Sequence, residues 1–143
     1  MDPRMTPYTS SGGATGRPRL LIADDDSVVR SALSLQLGNA FELVGAARDA
    51  AEAVDLAGRH QPDVAVIDVQ MPAGGGPYAA AGIAACSPST VILALSVDES
   101  HHIVTEMINA GAMTYVRKGA SGQQLVDVLM RCIEAQGRLA AAS

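Results

Sequence analysis

Four short apolar runs in this chain each end in side chains that can handle a phosphoryl group. Asp24, Asp25 and Asp26 follow residues 20–23, Asp68 follows 64–67, Ser96 follows 91–95 and Lys118 follows 115–117. Carboxylates suit a hard divalent cation, while a hydroxyl and an ammonium suit the oxygens of a tetrahedral anion. Three adjacent acids repel one another by on the order of 4 kcal/mol per pair at reduced dielectric unless a cation compensates them. Mg²⁺ is the natural compensator, because it takes a few carboxylates, keeps several waters and accepts a phosphate oxygen. Taken singly, each group is bland: an acidic turn before a helix, an Asp ahead of the Gly74-Gly75-Gly76 turn, a lone hydroxyl, a solvated lysine. The specific feature is their order, with acids, acid, hydroxyl and lysine closing successive apolar runs.

Side chains so far apart in sequence meet only if the runs are strands of one open parallel sheet, where ligands collect beyond the carboxyl ends. The expected strands are residues 20–23, 41–46, 64–68, 91–96 and 114–117, continuous apolar runs suited to burial on both faces. Between them lie segments of helical period. Val28, Ala32 and Leu35 with Val29, Leu33 and Leu37 give the first helix, with Ser27 as its cap. Asp49 caps the second, which carries Ala50, Ala53, Val54 and Ala57 and closes before Pro62. The third, near 77–86, is rich in Ala and Gly. Ile103, Val104, Met107 and Ile108 make the fourth, ended by Gly111, and Leu125, Val128, Leu129, Cys132 and Ile133 make the fifth. Alternating strands and helices predict an α/β fold, a flavodoxin-like doubly wound five-stranded parallel sheet of order 2-1-3-4-5 with five helices. Strands one and three are then neighbours, which brings Asp25 to Asp68.

The bulk properties bound the function. A chain of 143 residues can bury roughly two-thirds of its unfolded surface, enough for one core without staples. Its net charge of -5 and lack of a Lys/Arg run argue against direct binding of nucleic acid or an anionic membrane. No apolar run approaches the roughly 20 residues of a membrane span, and the expected compartment is the cytoplasm. Residues 1–17, rich in Thr, Ser, Gly and Pro, are expected to be a disordered leader, 18–138 the folded domain and 139–143 a short tail. Cys86 and Cys132 lack metal-ligand spacing and read as small core or half-buried residues. His101 and His102 are adjacent and cannot face one site from a regular helix, so they read as solvated helix-start residues.

At the residues that end the runs, the chain resembles the receiver domain of two-component response regulators. The matching stretches are 21–25, 62–72, 92–96 and 111–118, within a resemblance covering about residues 19–136. It implies that Asp68 accepts a phosphoryl group from the phosphohistidine of a sensor histidine kinase or phosphotransfer protein. It also implies that Asp24, Asp25, Asp68 and the backbone carbonyl of Gln70 hold Mg²⁺. Lys118 would pair with the phosphoryl oxygens, Ser96 would hydrogen-bond one of them, and Tyr115 would turn inward as the Ser96 hydroxyl moves. Gln70 and Asp98 would tune phosphoryl lifetime, and the output would be altered partner binding or a homodimer through the fourth helix, fifth strand and fifth helix. Such a domain is not an enzyme beyond its own phosphorylation and dephosphorylation. Two positions depart from the common pattern: Gly75 stands where Asp or Asn is frequent, and Gly119 where many members have proline. The 119–125 segment and the strand around Val44 look most like the NarL/LuxR class, whose members usually continue into a DNA-binding helix-turn-helix and regulate transcription.

An alternative is a haloacid-dehalogenase-type phosphatase, since residues 24–28 fit D-x-D-x-[TV] with Asp24 as nucleophile and Asp26 as general acid. That chemistry needs a further acidic pair after the lysine, where only Asp127 and Glu134 occur. A receiver used independently of phosphorylation is a third reading, disfavoured because every key position is filled.

Overall fold

The computed structural model describes residues 16–72, 74–97 and 101–142. Five strands, β1 (Arg19–Ala23), β2 (Glu42–Ala47), β3 (Val64–Asp68), β4 (Val91–Ser96) and β5 (Thr114–Arg117), form one parallel sheet in the order β2-β1-β3-β4-β5. They alternate with α1 (Ser27–Leu37), α2 (Ala50–His60), α3 (Gly75–Cys86), α4 (His101–Ala110) and α5 (Gly122–Ala142). The expected fold class and strand order are those observed.

Strand side chains alternate between two cores. Leu20, Ile22, Val64, Val66, Leu93 and Leu95 meet Leu33 and Leu37 of α1 and Leu125 and Leu129 of α5. On the opposite face Leu21, Ala65, Ile67 and Ala94 meet Ala53 and Ala57 of α2, Ala80 and Ile83 of α3 and Met107 of α4. Each large aliphatic side chain taken out of water contributes roughly 1.5–3 kcal/mol, so β1, β3 and β4, buried almost throughout, are the rigid floor of the molecule. Register then sets the site. Ala23 pairs with Ile67, so Asp24, one residue on, lies beside Asp68.

Several local expectations need correction. The cap of α1 is Asp26, whose carboxylate accepts from the Val28 N–H at 2.9 Å, and Ser27 is the first helical residue. The apolar stripe of α1 splits: Leu33 and Leu37 are buried with Val29 packed against them, whereas Val28 and Leu35 are 73% and 82% exposed. The second strand begins one residue late, because Phe41 turns into the core as a plug instead of joining the ladder. Helix α3 starts at Gly75, inside the glycine turn. Cys132 is buried as expected, but Cys86 is exposed. The proposed leader lies outside the described residues from 1 to 15. Arg17, its last residue, donates to the Gly38 carbonyl at the end of α1. The backbone of residues 139–142 continues α5.

Candidate functional site

The site is built at the carboxyl ends of β1, β3, β4 and β5. Asp24 is clamped: its N–H donates to the Ala47 carbonyl at 3.0 Å, and its Oδ1 accepts from the Asp26 N–H at 2.9 Å. Asp68 ends β3, and its Oδ1 accepts from the Gln70 N–H at 3.2 Å. Both residues are buried, whereas Asp25 is exposed at the mouth. One oxygen from each of the three carboxylates lies within 4.8 Å of the others.

Lys118 enters from the far side of the sheet. Its Nζ is 2.9 Å from Asp24 Oδ2 and 3.2 Å from Asp68 Oδ2, and its N–H donates to the Ser96 carbonyl at 2.9 Å. That backbone bond fixes the lysine and Ser96 at the same end of the sheet. Ser96 is 4% exposed and closes β4. Tyr115, paired in register with Ala94, is 37% exposed. Gln70 is exposed above Asp68, while Asp98 and the side chain of His101 lie outside the described residues.

The electrostatics are those of a pocket short of positive charge. Burial, and then the neighbouring Asp24 carboxylate, raise the Asp68 pKa above the usual carboxylate value, against the opposing pull of the Gln70 N–H and Lys118. For Lys118, burial alone would lower the pKa, but its contacts with Asp24 and Asp68 outweigh that and hold the ammonium above its ordinary value. Asp24 Oδ2 is buried and accepts no well-directed hydrogen bond, despite the ammonium nearby. An under-coordinated buried oxygen, with two further carboxylate oxygens in reach, fits a small oxygen-seeking cation such as Mg²⁺. Asp24, Asp25 and Asp68 are the side chains that would hold it.

The positions named from sequence thus converge, with Asp24, Asp25, Asp68, Ser96 and Lys118 gathered at one end of the sheet. Asp26 does not join them, since its carboxylate is committed to the α1 cap. Sequence reasoning missed Arg30, whose Nη1 donates to the Asp24 carbonyl at 2.8 Å. Its only sequence signal is a position about one turn into α1.

Residues 20–130 match the response regulator receiver domain family. The chain belongs to that family, and it is the receiver domain of a response regulator. Among particular relatives, it is 37% identical over 128 residues to the transcriptional regulatory protein PdtaR of Mycobacterium tuberculosis, covering 87% of this chain and 61% of that protein. It is 34% identical to the oxygen regulatory protein NreC of Staphylococcus carnosus, covering 78% of this chain and 52% of that protein. The chain therefore spans only about half to three-fifths of these relatives' lengths. Among solved structures, the signal receiver domain of the putative response regulator NarL from M. tuberculosis superposes with a TM-score of 0.78 at 28% identity, covering 82% of this chain and 97% of that one. The expected NarL/LuxR-like kinship agrees with these matches. The phosphatase alternative is not supported: the matched family spans its motif, and Asp26, its general acid, is spent on a helix cap. No helix among the described residues is long and apolar enough to cross a membrane.

Proposed function

We propose that this domain takes a phosphoryl group onto Asp68 from a phosphohistidine of a sensor histidine kinase or phosphotransfer protein. The observation that carries the reading is the gathering of Asp68 with a cation and two further acids: Lys118 Nζ bridges Asp24 and Asp68 at 2.9 and 3.2 Å, and one oxygen each of Asp24, Asp25 and Asp68 lie within 4.8 Å of one another. In-line transfer asks the protein chiefly for positioning and charge neutralisation. An Asp68 carboxylate oxygen forms the new bond to phosphorus as the bond to the histidine nitrogen breaks, and the histidine leaves with the bonding pair. Asp24, Asp25, Asp68 and the Gln70 carbonyl would hold Mg²⁺, which when bound would supply Lewis-acid neutralisation of the phosphoryl oxygens. Lys118 exchanges its carboxylate partners for those oxygens. Ser96 donates its hydroxyl to one of them, and Tyr115 moves inward with it.

The new dianion is a local event that biases a two-state element. We assign the output to the face of α4, β5 and α5, where Ile108, Met113, Tyr115 and Met130 expose apolar surface. The names of the relatives point to regulation of transcription, and a DNA-binding partner segment is the corresponding proposal for this chain. Incubation with acetyl phosphate and Mg²⁺ should add one phosphoryl mass, and Asp68→Asn should abolish the addition. Full labelling of that variant would sink the assignment.

A further inference from the structure

We propose that Arg30 is a positioning residue of the metal site, holding the β1–α1 turn by the carbonyl of Asp24 so that Asp24 and Asp25 can share one cation with Asp68. The inference rests on the reading of the acidic cluster as the Mg²⁺ site.

The last residue pairs of β1 are Ala23 with Ala47 and Ala23 with Ile67, so the Asp24 carbonyl lies past the ladder. Arg30 reaches back from α1 to take it at 2.8 Å. The Arg30 N–H donates to the Asp26 carbonyl at 3.0 Å, and the Ser34 hydroxyl donates to the Arg30 carbonyl at 2.8 Å. Together with the Asp26 N–H on Asp24 Oδ1, these bonds close a ring from residue 24 to residue 30. Asp25 lies inside that ring, the first of four consecutive exposed residues, 25–28. Its carboxylate can stay near Asp24 and Asp68 only if the turn on either side of it is held. Groups one shell away from a metal commonly orient its ligands in this manner.

Two effects of removing Arg30 have opposite signs, which makes the proposal testable. Removing a cation from beside the site strengthens Mg²⁺ binding by simple electrostatics. Releasing the turn weakens it. Mg²⁺ affinity of the full chain is measured by calorimetry for wild type, Arg30→Met, Arg30→Lys and Asp25→Ala, with Tm recorded for each. The expected result is a Kd raised roughly tenfold in Arg30→Met and within about threefold of wild type in Arg30→Lys, which restores a donor on a long stem. A Kd at or below wild type in Arg30→Met overturns the proposal, even if Tm falls, because the arginine would then serve the fold alone. If that variant does not fold, Arg30→Gln, too short to bridge to Asp24, is read by the same criterion. Loss of Mg²⁺ binding in Asp25→Ala alongside a normal Arg30→Met overturns only the role of Arg30. Unchanged binding in Asp25→Ala overturns the metal-site reading, and this inference with it.

Discussion

The Lys118 ammonium is shared between Asp24 and Asp68 at 2.9 and 3.2 Å, so one positive charge faces three carboxylates. The consequence shows in the pH dependence of stability. Asp68 holds its proton more tightly when folded than when unfolded, because burial and Asp24 raise its pKa. Stability contributed at this position is therefore present at low pH and is lost as the pH rises from the ordinary aspartate value, about 3.9, through the higher folded-state value. Without Mg²⁺ at pH 7.5, Asp68→Asn should melt above wild type, and the gap should close as the pH falls through that window. Each kcal/mol would read as roughly 3–5 °C for a domain of this size. A variant Tm at or below wild type at neutral pH would contradict the electrostatic account. Lys118 has the same direction of dependence in a more alkaline window: its raised pKa stabilises the fold below the ordinary lysine value, and that contribution is lost as the pH climbs through the folded one.

At the level of elements, the strand-end rule was enough to bring the chemistry together, because residues 20–23, 64–67 and 91–95 are unbroken apolar runs that leave no ambiguity about where each one stops. Helix faces were less legible. Val28, Ala32 and Leu35 follow a helical period as well as Val29, Leu33 and Leu37 do, and only packing against Leu125 and Leu129 of α5 decides which stripe turns inward. The choice between Asp26 and Ser27 as the α1 cap was likewise open, both being good caps one residue apart. Asp26→Ala should lower stability by about 1 kcal/mol while leaving phosphorylation by acetyl phosphate intact; lost labelling would return Asp26 to the site. The glycines around Asp68 and Lys118 differ in kind. A Cβ on Gly76 would lie 2.7 Å from Val69 Cα and 2.9 Å from the Asp68 carbonyl oxygen, so Gly76→Ala should cost roughly 2–3 kcal/mol. Gly119 has φ 98° with open space around it, so Gly119→Ala should cost only about 1 kcal/mol of left-handed strain. Chemical denaturation of the two variants checks that ranking.

For the whole molecule, the proposed output face predicts a response to a phosphoryl mimic. Beryllofluoride with Mg²⁺ should increase the mass measured by light scattering, or strengthen binding of a partner, and should raise amide protection across residues 103–133. No change in either would remove that face from the mechanism while leaving Asp68 as acceptor. The sheet order has a consequence for synthesis as well. Because β1 sits between β2 and β3, a ribosome that has released the chain through Asp68 has already supplied the three strands at one side of the sheet and all three acids. The neutralising lysine emerges only later, on β5's heels, after β4. The nascent half-domain therefore carries its carboxylates uncompensated, and arrival of the last strand brings a counterion along with its hydrogen bonds. Completion of the sheet and neutralisation of the pocket become a single late event of translation.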